Sequence, residues 1–152
     1  MAMDESKDDP GAAQALAMAA ELRILLGQLK RRLREESHPS GLTWSQIGVL
    51  GLLDRDGPAT VTTLAQAEGV RPQSMGATVA VLEEAGLVAG TPDPADGRQT
   101  ILSLTPACEE LIRASRAARE DWLFRVIRTK FTLAEQAELA TAVALLKRLV
   151  EP

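Results

Sequence analysis

Residues 60–105 read TVTTLAQAEGVRPQSMGATVAVLEEAGLVAGTPDPADGRQTILSLT and decide the fold. Two short helical patterns in this stretch are followed by two apolar runs on either side of a polar, glycine-containing tip. That order predicts a helix, a tight turn, a second helix and a β-hairpin. We therefore interpret the stretch as a winged helix-turn-helix.

The first helical pattern begins near Thr62 or Thr63, because either hydroxyl can cap a helix by accepting a bond from an unpaired backbone amide. Gly69 ends the pattern, since glycine suits the left-handed position just past a helix. The residues expected to fill the apolar side are Leu64, Ala65 and Ala67.

The second helical pattern begins at Pro72, whose missing N–H and fixed φ suit the first helical position. Gly86 ends this helix. Its inward stripe is predicted to be Met75, Val79 and Leu82. Strands are then expected at Leu87–Ala89 and Thr100–Leu104, joined by the tip TPDPADGR with Asp-Gly turn chemistry.

Composition limits the classes of protein to consider. The chain has 152 residues, of which 45% are hydrophobic, and suits one compact domain. No apolar run approaches the roughly 18 residues that cross a membrane. The start MAMDESKDD is acidic, unlike the basic segment of a secretory signal, so we expect a cytoplasmic protein without a membrane partner.

Residues for catalysis or metal binding are scarce. Cys108 is the only cysteine and His38 the only histidine. This excludes an intrachain disulfide and a metal site of several thiolates. Because no acid and base are paired at a recognisable spacing and no phosphate loop occurs, we expect neither an enzyme nor a cofactor. A buried, inert thiol is the simplest interpretation of Cys108, with a redox switch as the alternative; His38 is a loop residue or, alternatively, a ligand or proton switch.

Long amphipathic helices flank the winged module. Residues 1–11 are acidic and without apolar periodicity, so a mobile tail is expected there. Helices are predicted at 12–36, from Thr43, from Thr105 and Pro106 to about Lys130, and from Thr132 to 149, the last with Glu135 completing a capping box. Inward positions of the Thr43 helix are predicted to be Trp44, Ile47, Leu50 and Leu53.

The outer helices exceed what a single winged module needs for its own stability. The broad apolar stripe of residues 12–36 therefore predicts packing on the same chain and on a second copy. We expect one domain over residues 12–149, with a DNA-binding part at about 43–105 and dimerisation helices at about 12–36 and 105–149. The fold class is then mainly α, with a small β-hairpin wing.

Charge leaves two interpretations of the module open. The net charge is −4, and residues 60–105 carry two arginines against five carboxylates. A DNA-binding surface then requires the cations to gather on one edge. The alternative is a winged-helix dimer that binds protein and not specific DNA. The basic run at residues 30–34 is either a solvated helix end or a phosphate contact.

The order of elements resembles the MarR family of bacterial transcription regulators over most of residues 12–149. Asp96-Gly97-Arg98, followed by apolar strand residues and Leu104-Thr105, is similar to the family's wing signature. The segment 83–88, EEAGLV, is a second match, shared with many winged-helix families. This resemblance implies a homodimeric repressor or activator on a pseudo-palindromic operator, responsive to a small aromatic or anionic effector. It identifies no effector site beyond the neighbourhood of Trp44, Leu50 and Trp122.

DNA contacts are expected from the start of the second helix and from the wing, because a helix N-terminus approaches base edges most closely in the major groove. The candidates are Arg71, Pro72, Gln73, Ser74, Ala77, Thr78, Asp96 and Arg98. Thr78 has a buried or half-buried structural role as its alternative. Asp96 is expected to pair with Arg98 or another arginine and to fix its direction, and a surface ion pair is the alternative role of Arg98. Residues 72–84 contain neither Lys nor Arg, where many relatives carry a basic residue at the positions of Ala77 and Val81.

Overall fold

The computed structural model describes residues 10–37, 39 and 41–152. Of the acidic tail predicted at 1–11, residues 1–9 lie outside the described residues, as does His38. Pro10 and Gly11 belong to the first helix, which therefore begins two residues earlier than predicted. The described residues form two compact units. The central unit runs from residue 39 to residue 118, and the terminal unit consists of residues 10–37 and 119–152.

The structure contains six helices and three strands over the described residues. In chain order they are α1 (Pro10–Ser37), α2 (Trp44–Asp56), β1 (Ala59–Thr60), α3 (Val61–Glu68), α4 (Pro72–Glu84), β2 (Val88–Pro92), β3 (Thr100–Leu104), α5 (Pro106–Lys130) and α6 (Leu133–Lys147). No helix among these residues combines the length and apolarity needed to span a bilayer.

The core of the central unit lies between α2, α3, α4 and the sheet. Its buried side chains are Val49, Leu50, Leu53, Leu64, Ala65, Met75, Val79, Leu82, Val88, Leu102 and Cys108. The three strands are antiparallel in the order β1-β3-β2. β1 was not predicted, because two residues are too few to show a period; Ala59 pairs with Leu102 and Thr60 with Ile101.

α2 has the predicted start but a different inward face. Thr43 caps it in a capping box with Gln46. Leu50 and Leu53 are buried as predicted, whereas Trp44 is 55% exposed, so its inward assignment was wrong. Successive helical residues turn by about 100°. Trp44 therefore lies on the side opposite to the stripe that Val49, Leu50 and Leu53 form.

The cap of α3 is Thr60, and the assignment to Thr62 or Thr63 was wrong. The Thr63 amide donates to Thr60 Oγ1 at 3.2 Å, so Thr62 and Thr63 occupy the first turn. Ala67 is exposed and does not join Leu64 and Ala65 in the core. Gly69 ends the helix as predicted, with φ of 66° in the left-handed region.

α4 matches its prediction, and the wing is longer than expected. Pro72 is the first helical residue, and the predicted stripe of Met75, Val79 and Leu82 is buried. Leu87 precedes the strand, because its N–H donates to the Leu82 carbonyl at 3.0 Å and so closes α4. β2 continues through Pro92, which pairs with Thr100, so the tip is shorter than the predicted TPDPADGR.

The terminal unit consists of α1, the end of α5, and α6. Arg119 Nε donates to Ser37 Oγ at 2.6 Å, and the Arg32 guanidinium lies 5.6 Å from the centre of the Trp122 ring. Thr132 and Glu135 form the predicted capping box of α6. No residue of α6 is buried, and an apolar groove of about 500 Å³ runs between α1 and α6. Arg32 also pairs with Glu35 and Glu36, as expected of a solvated helix end.

Candidate nucleic-acid interface

The outer face of α4 carries most of the candidate DNA-binding residues. Pro72, Gln73, Ser74 and Ala77 are exposed, and Gln73 and Ala77 lie opposite the buried stripe. Thr78 is half-buried, and its hydroxyl donates to the Ser74 carbonyl at 3.2 Å. The Thr78 hydroxyl therefore has the structural role that the sequence left open as an alternative to DNA contact.

The turn between α3 and α4 sets the position of Arg71. After Gly69, the Val70 amide donates to the Ala65 carbonyl at 3.0 Å, which folds the chain back on α3. Arg71 then takes the N-cap position with extended backbone and makes no side-chain cap bond. Its exposed guanidinium is therefore available at the start of α4, beside Gln73 and Ser74.

Side-chain caps shape the wing tip. Asp93 Oδ1 accepts from the Ala95 amide at 2.9 Å, and Asp96 Oδ1 accepts from the Arg98 amide at 3.1 Å. The Gln99 amide donates to the Asp96 carbonyl at 3.0 Å and closes a tight turn. The Asp96 carboxylate therefore holds the Arg98 backbone. Among the described residues it makes no ion pair with Arg98 or with another arginine, so the expected side-chain pair was wrong.

The Asp-Gly turn chemistry predicted for the tip was wrong. A two-residue Asp-Gly hairpin turn requires positive φ at both central residues. Gly97 is not among the glycines with positive φ, which are Gly41, Gly57, Gly69 and Gly86. The turn instead has ordinary negative φ, and the Asp96 carboxylate supplies the stabilising bond.

Ion pairing separates Arg71 and Arg98 from the other arginines of the central unit. Arg55 pairs with Asp56 at 3.1 Å, Arg113 pairs with Glu110, and Arg116 pairs with Asp54. Among the described residues no carboxylate lies within ion-pair distance of Arg71 or Arg98. The two arginines selected from the sequence are therefore the two whose charge the central unit does not neutralise.

Thr105 connects the wing to α4, a contact that sequence reasoning missed. Its hydroxyl donates to the Gly86 carbonyl at 2.6 Å and accepts from the Cys108 amide at 3.2 Å, which caps α5. The Thr105 amide donates to the Leu87 carbonyl at 3.1 Å. One residue thus fixes the base of the wing, the end of α4 and the start of α5. The Leu104-Thr105 motif was the available signal.

Acidic side chains limit the basic surface to one end of α4. Glu83 and Glu84 are exposed in its last turn, and no Lys or Arg lies between residues 72 and 84. Within α4 and the wing, attraction to phosphate is therefore confined to the N-terminal end of α4 and to the wing tip.

Cys108 lies away from this surface, in the core. Its side chain is 0% exposed, which confirms the prediction of a buried thiol. Burial raises the pKa of the thiol above its ordinary value of 9.0, and the negative charges of Asp54 and Glu109 raise it further. The thiol therefore stays neutral up to a higher pH than an ordinary cysteine does. Across the described residues no cluster of His, Cys, Asp and Glu suited to a metal ion occurs.

Known proteins match the helix-turn-helix and wing, and also most of the length of the chain. A model of the MarR family matches residues 40–99, which include α4 and the wing tip. An uncharacterized HTH-type transcriptional regulator of Mycobacterium bovis is 35% identical over 134 residues, covering 88% of this chain and 93% of that protein. The chain belongs to the MarR family. This MarR-family protein is a transcriptional regulator with a DNA-binding winged helix.

Solved structures agree with this assignment. A transcriptional regulator of Thermotoga maritima superposes with a TM-score of 0.79 at 25% identity, covering 88% of this chain and 94% of that one. A putative transcriptional regulator of Pseudomonas aeruginosa gives 0.75 at 37% identity, covering 91% and 97%. A MepR variant of Staphylococcus aureus, bound to an oligodeoxyribonucleotide, shares the fold with a TM-score of 0.65 at 18% identity, covering 88% and 98%.

Proposed function

We propose that this MarR-family regulator binds a pseudo-palindromic operator as a homodimer, and that a small aromatic or anionic effector changes its DNA affinity. Each protomer inserts α4 into the major groove and the wing into the adjacent minor groove. The observation that carries this proposal is a pair of arginines that form no ion pair within the described part of the chain, Arg71 at the start of α4 and Arg98 at the wing tip.

In the major groove, the exposed start of α4 supplies the hydrogen-bonding groups. Gln73 has the donor and acceptor pair that reads adenine, and Arg71 suits either a guanine edge or a phosphate. The Ser74 hydroxyl can both donate and accept a hydrogen bond, so it can contact either adenine or guanine. Pro72 contributes by starting the helix and not by a hydrogen bond, because it has no N–H. A good bidentate contact discriminates by about 1–3 kcal/mol.

In the minor groove, the contact falls to Arg98. A narrow A·T-rich groove has the deepest negative potential and attracts an inserted arginine. The capped turn supports this role, since Asp96 holds the Arg98 backbone while the Arg98 guanidinium makes no ion pair with any carboxylate of residues 10–37 and 41–152. The S. aureus relative bound to an oligodeoxyribonucleotide has the same fold and supports DNA as the partner.

Support for the homodimer comes from the terminal unit. All the exposed large apolar side chains of the described chain lie there except Trp44, Val70 and Val81. Leu16 on α1 is 72% exposed and Leu133 on α6 is 77% exposed. The apolar groove between α1 and α6 lies among these side chains, and exposed apolar surface of this kind marks an interaction site. A second copy covering α1 and α6 removes it from water.

Effector control follows if ligand binding changes the distance between the two copies of α4. They enter successive major grooves when they are about 34–36 Å apart. An effector that binds better to a dimer of another spacing lowers DNA affinity by its coupling free energy, typically about 1–3 kcal/mol.

A direct test titrates the purified protein with a fluorescent duplex of its own upstream DNA and with a scrambled duplex of equal length, while sedimentation measures its mass. The proposal predicts a dimer that prefers the upstream duplex by at least about 1,000-fold. Equal, weak binding to both duplexes refutes operator recognition. That result favours the protein-interaction alternative, for which the exposed Glu83 and Glu84 are the supporting observation.

A further inference from the structure

The outward face of α4 is apolar between its two ends. At about 100° per residue, Gln73, Ala77, Ala80 and Glu84 lie along the side opposite the buried Met75, Val79 and Leu82. Val81 lies beside this line. Ala77 and Ala80 are exposed, and Val81 is 48% exposed. The middle of the outward face therefore presents methyl groups, and not polar side chains, to solvent or to base edges.

This apolar face has no hydrogen-bonding substitute nearby. Thr78, the one hydroxyl in the middle of the helix, already donates to the Ser74 carbonyl at 3.2 Å. The exposed polar side chains of α4 are consequently Gln73 and Ser74 at its start and Glu83 and Glu84 at its end. Alanines at 77 and 80 also shorten the surface, so the helix can approach the groove floor closely.

Among the groups that bases display in the major groove, the thymine 5-methyl group is the apolar one. We infer that Ala77, Ala80 and Val81 form a thymine-methyl reading surface, and that this regulator selects operators by methyl contacts in the centre of each half-site. The inference rests on the proposed entry of α4 into the major groove and names the base class that its central residues recognise.

The spacing of these residues defines the expected pattern. Ala77 and Val81 are four residues apart, which is about 6 Å along the helix axis. Bases on one strand are about 3.4 Å apart. The methyl groups that contact Ala77 and Val81 therefore belong to thymines one or two base pairs apart within a half-site.

Replacing thymine by deoxyuridine tests this directly, because it removes the methyl group and keeps every hydrogen-bonding group of the base. A duplex selected from a random pool by the wild-type protein is substituted one thymine at a time. Each contacted thymine should cost about fourfold in affinity, the equivalent of about 0.8 kcal/mol for one buried carbon. Substituting the same thymine in both half-sites should cost about 15-fold.

Val81→Ser assigns the contact to a residue, since it removes both side-chain methyl groups from an exposed position and leaves a small hydroxyl. It should remove the thymine preference at one position and leave that at the other. Val70→Ser is the matched control: Val70 is 44% exposed in the same unit and lies outside the apolar face of α4, so the preference of this variant for thymine over deoxyuridine should equal that of the wild type.

The outcomes separate this inference from the proposed function. Specific binding with no loss at any deoxyuridine overturns the methyl-reading surface and leaves operator binding intact. Selected half-sites without thymine in their centre overturn it as well. An unchanged thymine preference in Val81→Ser overturns the assignment to Val81. Failure to select any sequence refutes operator recognition itself.

Discussion

Replacing Arg98 by alanine is expected to change the salt dependence of DNA binding by a predictable amount. Each neutralised phosphate contributes about −0.9 to the slope of log K against log salt concentration. Arg71 and Arg98 are the two unpaired arginines in the described central unit. A dimer has four such arginines, and they contribute a slope of about −3.6 if each neutralises one phosphate. In a dimer, Arg98→Ala removes two contacts and should leave about −1.8.

This change has a clear signature in affinity. Between 50 and 200 mM salt the wild type should lose about 150-fold through these contacts, and the variant about tenfold. Fluorescence anisotropy at four or more salt concentrations measures both slopes. Because the Arg98 side chain makes no ion pair among the described residues, the thermal stability of the variant should equal that of the wild type.

Arg113→Ala is the matched control, because it removes the same charge from the same unit, but from an arginine already paired with Glu110. Its slope should stay close to the wild-type value. Equal slopes for the wild type and Arg98→Ala would refute the reasoning and remove Arg98 from the DNA contact. Equal changes in Arg98→Ala and Arg113→Ala would show that net charge, and not the wing, sets the slope.

Three further predictions concern the core and turns that hold this surface. Leu82→Ala, at a position with 0% exposure, should lower the free energy of unfolding by about 2–5 kcal/mol in urea titration; a cost under about 0.5 kcal/mol would contradict the core assignment. Gly69→Ala should cost about 1–2 kcal/mol in the same assay, because its φ is 66°, while Gly76→Ala should stabilise α4 by up to about 1 kcal/mol, since nothing lies within 4 Å of the added carbon; equal effects would contradict the turn. The raised pKa of Cys108 means that the unfolded chain loses the thiol proton at lower pH than the folded protein does. The free energy of unfolding should therefore fall as pH rises above 9.0, and it should fall less steeply in Cys108→Ala. Parallel pH profiles of the two proteins would contradict the raised pKa.

The parts of the fold that sequence predicted correctly have strong local signals. Gly69 has the left-handed φ that the sequence predicted, and β3 has the predicted bounds Thr100–Leu104. Thr132 with Glu135 likewise forms a capping box from residues three positions apart. These features depend on backbone groups within a few residues, so their chemistry is readable without the tertiary structure.

The errors occurred where tertiary contacts decide between local alternatives. Thr60, and not Thr62 or Thr63, caps α3, and Thr60 also pairs with Ile101 on a strand far along the chain. Trp44 is apolar but lies on the outer side of α2. The turn at Gly97 follows from the Asp96 carboxylate bond, which replaces the positive-φ geometry typical of Asp-Gly.

The residues of the candidate site divide in the same way, into features with a local sequence signal and features that depend on tertiary contacts. Arg71 and Arg98 are identifiable from the helix start and the wing motif. Their freedom from ion pairs is not, because it depends on which carboxylates the other arginines contact. Arg116, for example, pairs with Asp54 on another helix, 62 positions earlier. The role of Thr105 also required the structure, since its hydroxyl donates to Gly86, 19 positions away.

A hydroxyl-radical footprint on a selected operator tests the central proposal most directly, because it reports both DNA contact and the arrangement of two protomers. Two copies of α4 in successive major grooves should give two protected windows about 10 base pairs apart, centre to centre. The added protections from the wings should disappear in Arg98→Ala. A single protected window, or no protection at concentrations that saturate binding, would contradict a homodimer that reads two half-sites.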